Sequence, residues 1–161
     1  MLMPNRYSEC IHYLYANHTF SLLHATHLLA LPKRVPQQRL NAIRHLRLRW
    51  HIRALPYLRR TGTSKYAYNE DTANWEKGWA ILASMKGLDS LSVTLVDPSA
   101  QGIWESGWLE LEAQIMEPVK RVVGVGQSEV VLPYASCDVG RVMGSCGVRL
   151  RRPSDEGAAE G

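Results

Sequence analysis

The segment AIRHLRLRWHIR, Ala42 to Arg53, decides the fold. In it Leu46, Leu48, Trp50 and Ile52 alternate with His45, Arg47, Arg49, His51 and Arg53. Successive side chains of an extended chain point to opposite sides, so a period of two predicts a strand with one apolar and one basic face. The apolar face requires a core to pack on. The basic face carries guanidinium and imidazole groups about 7 Å apart along the chain, a spacing set by strand geometry.

Downstream, LSVTLV (91–96) is a second strand, with Leu91, Val93 and Leu95 on one side and Ser92 and Thr94 on the other. EVVLP (129–133) predicts a third strand, and GVRLR (147–151) a fourth that adds Arg149 and Arg151 to the basic face. Between the first two, a helix is expected from about Glu70, where acids suit the positive helix end. It presents Trp75, Trp79 and Leu82 at helical spacing. Met85-Lys86-Gly87 closes it, with Gly87 expected in the left-handed position that ends many helices. Trp104, Trp108, Leu111 and Ile115 predict another amphipathic helix, interrupted at Pro118 and continuing to about Val123. Residues 54–69 and 134–146 read as loops, and Pro153 to Gly161 as a disordered acidic tail.

Upstream, residues 6–16 read as an amphipathic helix carrying Tyr7, Ile11 and Leu14 with Tyr15 beside them, followed by a brief extended piece at Thr19-Phe20. A second helix is expected from Ser21 as N-cap to Leu31, where Pro32 would stop it. Pro36 then opens a further turn. Strands separated by helices pair in parallel, and their alternating pattern says that only one sheet face is covered. The expected fold is therefore α/β: a small, mainly parallel sheet of three or four strands, helices on one face, a helical N-terminus, and an irregular leucine-rich-repeat-like layer. It forms a single domain over residues 1–152.

At 161 residues, with 45% apolar and 21% charged side chains, the chain is long enough for one core and too apolar to be disordered. Its net charge of +4 conceals a split. Residues 1–66 hold 11 basic groups against one acid, together with all six histidines, whereas residues 67–161 hold 8 basic and 14 acidic groups. Such a split suits an anionic partner, and equally suits two halves of one fold attracting each other. Cys10, Cys137 and Cys146 are odd in number and lack paired spacing, which points to a reducing, intracellular compartment. The first ten residues are too polar for a signal peptide, and no apolar run reaches the roughly 20 residues needed to span a bilayer.

The basic ladder of His45, Arg47, Arg49, His51 and Arg53, with Arg149 and Arg151, is the candidate binding face, because arginine keeps its charge and offers a planar fork of donors to anions. A solvated face, or one neutralised by acids of the second half, is the plainer reading of the same residues. His24 and His27 fall at i, i+3 and could share a metal, but no third ligand stands at a sensible spacing and Cys10 is the only nearby thiol, so no metal is assigned. Gly124-Val125-Gly126 lacks the rest of either nucleotide-binding fingerprint and reads as a turn. Glu105, Glu110, Glu112 and Glu117 read as the solvated flank of a helix. No nucleophile elbow occurs, and Cys137 and Cys146 have no histidine in their half of the chain to activate them. The tryptophans at 75, 79, 104 and 108 read as core.

YSECIHYLYANHTF (7–20), LLALPKRVPQQRLNAIRHLRLRW (28–50), Met85 to Leu88, Leu91 to Val96 and Glu117 to Lys120 together resemble a fungal family of domains of unknown function, DUF7730. Members of that family often begin with an F-box-like segment and a further helix. This chain starts almost at the Tyr7-Ser8-Glu9 stretch, which implies an incomplete N-terminus and leaves no counterpart for an adaptor role. The resemblance brings no catalytic residues. The expectation is a non-catalytic protein-interaction module with no cofactor and no membrane association. Its alternative is anion or nucleic-acid binding through the basic strand face.

Overall fold

In a computed structural model of the chain, the structure describes residues 3–58, 69–144 and 146–153. The loop expected at 54–69 and the acidic tail therefore lie largely outside the described residues. The basic segment is a strand, β2 (His45–His51), in a sheet with β1 (Thr19–Leu22), β3 (Ser90–Val96), β4 (Gln127–Val131) and β5 (Arg149–Arg151). All four pairings are parallel, and the strands lie side by side in chain order. The helices are α1 (Met3–Asn17), α2 (Ala25–Arg34), α3 (Gln37–Leu40), α4 (Asn69–Ser84) and α5 (Glu105–Met116), with a 3-10 turn at Pro118–Arg121.

One side of the sheet is apolar because the register aligns like with like. Phe20 lies beside Leu46, and Leu48 beside Val93 and then Val130 and Leu150. On this side the strands share one buried cluster with Leu28 of α2, Trp75, Trp79 and Leu82 of α4, and Trp108 and Ile115 of α5. The tryptophans pack as a chain: Trp50 to Trp75 at 4.9 Å between ring centroids, Trp75 to Trp108 at 6.4 Å, and Trp108 to Tyr134 at 6.3 Å. The Trp75 indole N–H donates to the Ile115 carbonyl at 2.9 Å, which ties α4 to α5. Among the described residues no helix is long and apolar enough to cross a membrane.

Several expectations are corrected. The sheet has five strands rather than three or four, because Ser21 belongs to β1 and does not cap a helix. Its backbone pairs with Arg47 across the ladder, and the N-cap of α2 is His24, which makes no side-chain cap bond. Pro32 does not stop α2, which runs on to Arg34. Proline there removes only the N–H that would meet the Leu28 carbonyl, and the Val35 N–H still reaches Leu31 O at 2.8 Å. Pro36 stands at the N-cap of α3, one place before the position expected. Leu14 is 51% exposed and does not pack, whereas Tyr15 beside it does, stacked on Phe20 at 5.2 Å. Trp104 caps α5 from outside, and Arg53 lies beyond the end of β2. The strands start at residues 19, 45, 90, 127 and 149, with no fixed repeat, so the arrangement establishes no leucine-rich-repeat-like layer.

Candidate binding face of the sheet

The side of the sheet away from the helices is polar, and the register arranges it in rows. Arg47 lies beside Ser92, then Glu129, then Arg149; Arg49 lies beside Thr94, then Val131, then Arg151. With strands about 4.8 Å apart, Arg47 and Arg149 flank a floor about 14 Å wide at the backbone. Ser21 of β1 extends the first row beyond Arg47. All of these except Val131, which is buried, line an open groove of about 910 Å³. Leu23, 62% exposed, lines it past the end of β1, and Gly126 and Gly147 line it at the start of β4 and β5.

The predicted ladder is brought together only in part. Arg47, Arg49 and Arg149 are exposed in the groove, and among the described residues none of the three forms an ion pair. Arg151 is engaged: its guanidinium meets Glu129 Oε2 at 3.1 Å, while Ser92 Oγ donates to Glu129 Oε1 at 3.4 Å. His45 is half-buried and shares a 2.8 Å hydrogen bond with Ser90 Oγ. Arg53 is exposed but does not line the groove. Among the described residues, acids of the second half therefore do not cover Arg47, Arg49 or Arg149. Among the described residues the one carboxylate lining the groove, Glu129, is already held by Arg151.

His51 closes the row on β2, where its ring lies 5.4 Å from that of His24, itself 5.8 Å from His27. A third imidazole thus reaches the His24–His27 pair from the strand, a contact that spacing along the chain could not reveal. Burial, then the charges of Arg49, His24 and Arg53, hold the His51 pKa below its ordinary value. Its Nδ1 is buried without a hydrogen-bond partner among the described residues. Among the described residues no group of three His, Cys, Asp or Glu side chains is placed to hold a metal ion.

Glu112 is not on a solvated flank. It is 3% exposed and lies on the same side of α5 as Trp108 and Ile115, facing Arg141 of the long β4–β5 connection at 3.8 Å. Burial raises its pKa, and the Arg141 charge opposes the rise. In that connection burial pushes the Cys137 thiol up to about 11, so it is protonated at neutral pH. The Cys146 thiol donates to the Met143 carbonyl at 2.8 Å. Near the C-terminal end of β3, Asp97 accepts bonds from the Ser99 hydroxyl at 2.6 Å and the Tyr134 hydroxyl at 2.5 Å. Burial alone would raise its pKa, but these bonds outweigh it and lower the carboxyl.

Layering and register define an all-parallel α/β domain with one covered and one open sheet face, the open face basic. Residues 2–153 match the family described as Domain of unknown function (DUF7730), and the chain belongs to that family. No curated protein and no solved structure is significantly similar to it.

Proposed function

We propose that this domain is a non-catalytic interaction module that binds a protein partner across the open face of its sheet. The observation that carries the reading is the exposed set of Arg47, Arg49 and Arg149 around a hydroxyl-rich floor, with Glu129 turned to Arg151. Three guanidinium groups without an anionic partner among the described residues are suited to ligand carboxylates, to which arginine binds through paired hydrogen bonds. One-sided layering, which leucine-rich-repeat-like proteins share, leaves such a face open to a partner. The buried thiols of Cys137 and Cys146, neither in a disulfide, suit the reducing interior of a cell.

The test is affinity capture with the wild-type chain and a variant carrying Arg47→Ala, Arg49→Ala and Arg149→Ala. At least one partner is expected to be lost from the variant. An unchanged set of partners overturns the proposal. Nucleic-acid binding through the same face is the second reading, favoured by four guanidinium groups against one carboxylate in the groove. It requires affinity that falls steeply as salt rises, through counterion release.

A further inference from the structure

We infer that the groove accepts an extended protein segment bearing acidic side chains at alternate positions. The inference rests on the protein-binding reading above and adds the chemistry and conformation of the occupant. Arg47 and Arg49 are two residues apart on one strand and Arg149 and Arg151 two apart on another, so each pair repeats at about 7 Å. An extended ligand has the same repeat, since its alternate side chains point the same way. An acid-x-acid stretch lying along β2 therefore meets Arg47 and Arg49 one to one. A further acid directed across the floor reaches Arg149.

The floor distinguishes an extended chain from a helix. A helix satisfies its own backbone groups and offers only side chains, whereas an extended segment exposes N–H and C=O groups that need partners. Ser92 and Thr94 between the arginines, and Ser21 just beyond Arg47, supply hydroxyls for that purpose. The exposed Leu23 gives a flanking apolar residue of the ligand a contact at the end of β1.

The same floor disfavours a nucleic acid. Single strands are held largely by stacking bases on aromatic rings. Among the described residues no aromatic side chain lines the groove, because Trp50, Trp75, Trp79 and Trp108 are all buried on the other side of the sheet. A phosphodiester chain also carries a charge at every step, and crossing the floor brings one over Glu129. A peptide can set an uncharged residue there.

The experiment is fluorescence anisotropy with three labelled probes and the intact chain: a short peptide of alternating Glu and Thr, a peptide of the same composition with its glutamates in one block, and oligo-deoxythymidine. The alternating peptide is expected to bind best, and Arg47→Ala with Arg49→Ala to weaken it about tenfold, the loss of two partly exposed charge-assisted contacts. Unfolding temperature confirms that the variant folds. Equal affinity for the two peptides, or tighter binding of the oligonucleotide, overturns the inference. Affinity capture with Arg47→Glu and Arg49→Glu separates the two levels. A partner lost there, with the peptides undiscriminated, removes the acidic-strand inference alone; no partner lost and no peptide bound removes the protein-binding reading as well.

Discussion

At Gly87 an added Cβ would stand 1.8 Å from the backbone oxygen of Asn41, a contact that only displacement of one chain segment can relieve. Gly87→Ala is therefore expected to destabilise the fold by about 3 kcal/mol, the upper range for overpacking, read as a lower urea midpoint; an unchanged midpoint would mean that the two segments separate freely. The residue is special for a reason the sequence conceals. Its φ is not in the left-handed region, so it serves close approach rather than helix closure. A local pattern marks a glycine after a helix, but the partner carbonyl comes from the turn before β2. His51 is a second case in which the decisive neighbours are distant in the chain. With its pKa in the fold below the 6.5 of an unperturbed histidine, the unfolded chain binds the proton more readily. Stability from this residue is full above pH 6.5 and is lost as pH falls below it toward the depressed value. Thermal unfolding at pH 7.5 and 5.5 should show a smaller acid-induced drop for His51→Gln than for the wild type, and equal drops would contradict the shift.

The elements were legible in proportion to how far their apolar residues alone decide their burial. Trp75 and Trp79 on α4, Trp108 and Ile115 on α5, and the leucines of β2 and β3 all lie where period and hydrophobicity place them. Glu112 shares the buried stripe of α5 at i+4 from Trp108, but its charge disguises the position, and Arg141 and the Asp138 backbone of a distant connection make burial tolerable. Thr19 to Leu22 was only half legible as a strand, since four residues carry little pattern and the pairing with β2 supplies what propensity does not. The fit of α4 on β2 yields a prediction with an unusual sign. Alanine is a better helix former than glycine by about 1 kcal/mol, so Gly78→Ala should stabilise α4 on propensity alone. A Cβ there would lie 2.4 Å from Trp50 Cη2, and Trp50 is confined by Trp75 and Trp79 at 4.9 and 6.2 Å. The clash is expected to win, leaving the variant less stable by about 1–2 kcal/mol in chemical denaturation. A gain in stability would show that the indole can turn aside.

Across the whole molecule, the charge split of the sequence announces a basic surface but not whether the acidic half covers it. For the described residues register answers that, because it puts one acid, Glu129, between Ser92 and Arg149 and leaves Arg47 and Arg49 on the open face. Three other acids of the second half are engaged elsewhere: Glu117 holds Lys120 at 2.8 Å, Asp97 holds Ser99 and Tyr134, and Glu105 accepts from Ser136 at 2.6 Å. Glu129 thus controls the charge of the face, and Glu129→Gln isolates that role. Its pair with Arg151 is partly exposed on both sides, so the substitution should lower stability by no more than about 1 kcal/mol. It also releases Arg151 from that carboxylate and removes the negative charge on the groove floor. Affinity for the alternating acidic peptide is then expected to rise about threefold or more, with a faster on-rate and a stronger dependence on salt, as an electrostatically steered encounter requires. Loss of affinity instead would make Glu129 a contact of the ligand, and the open face would have to be read as mixed in charge rather than basic.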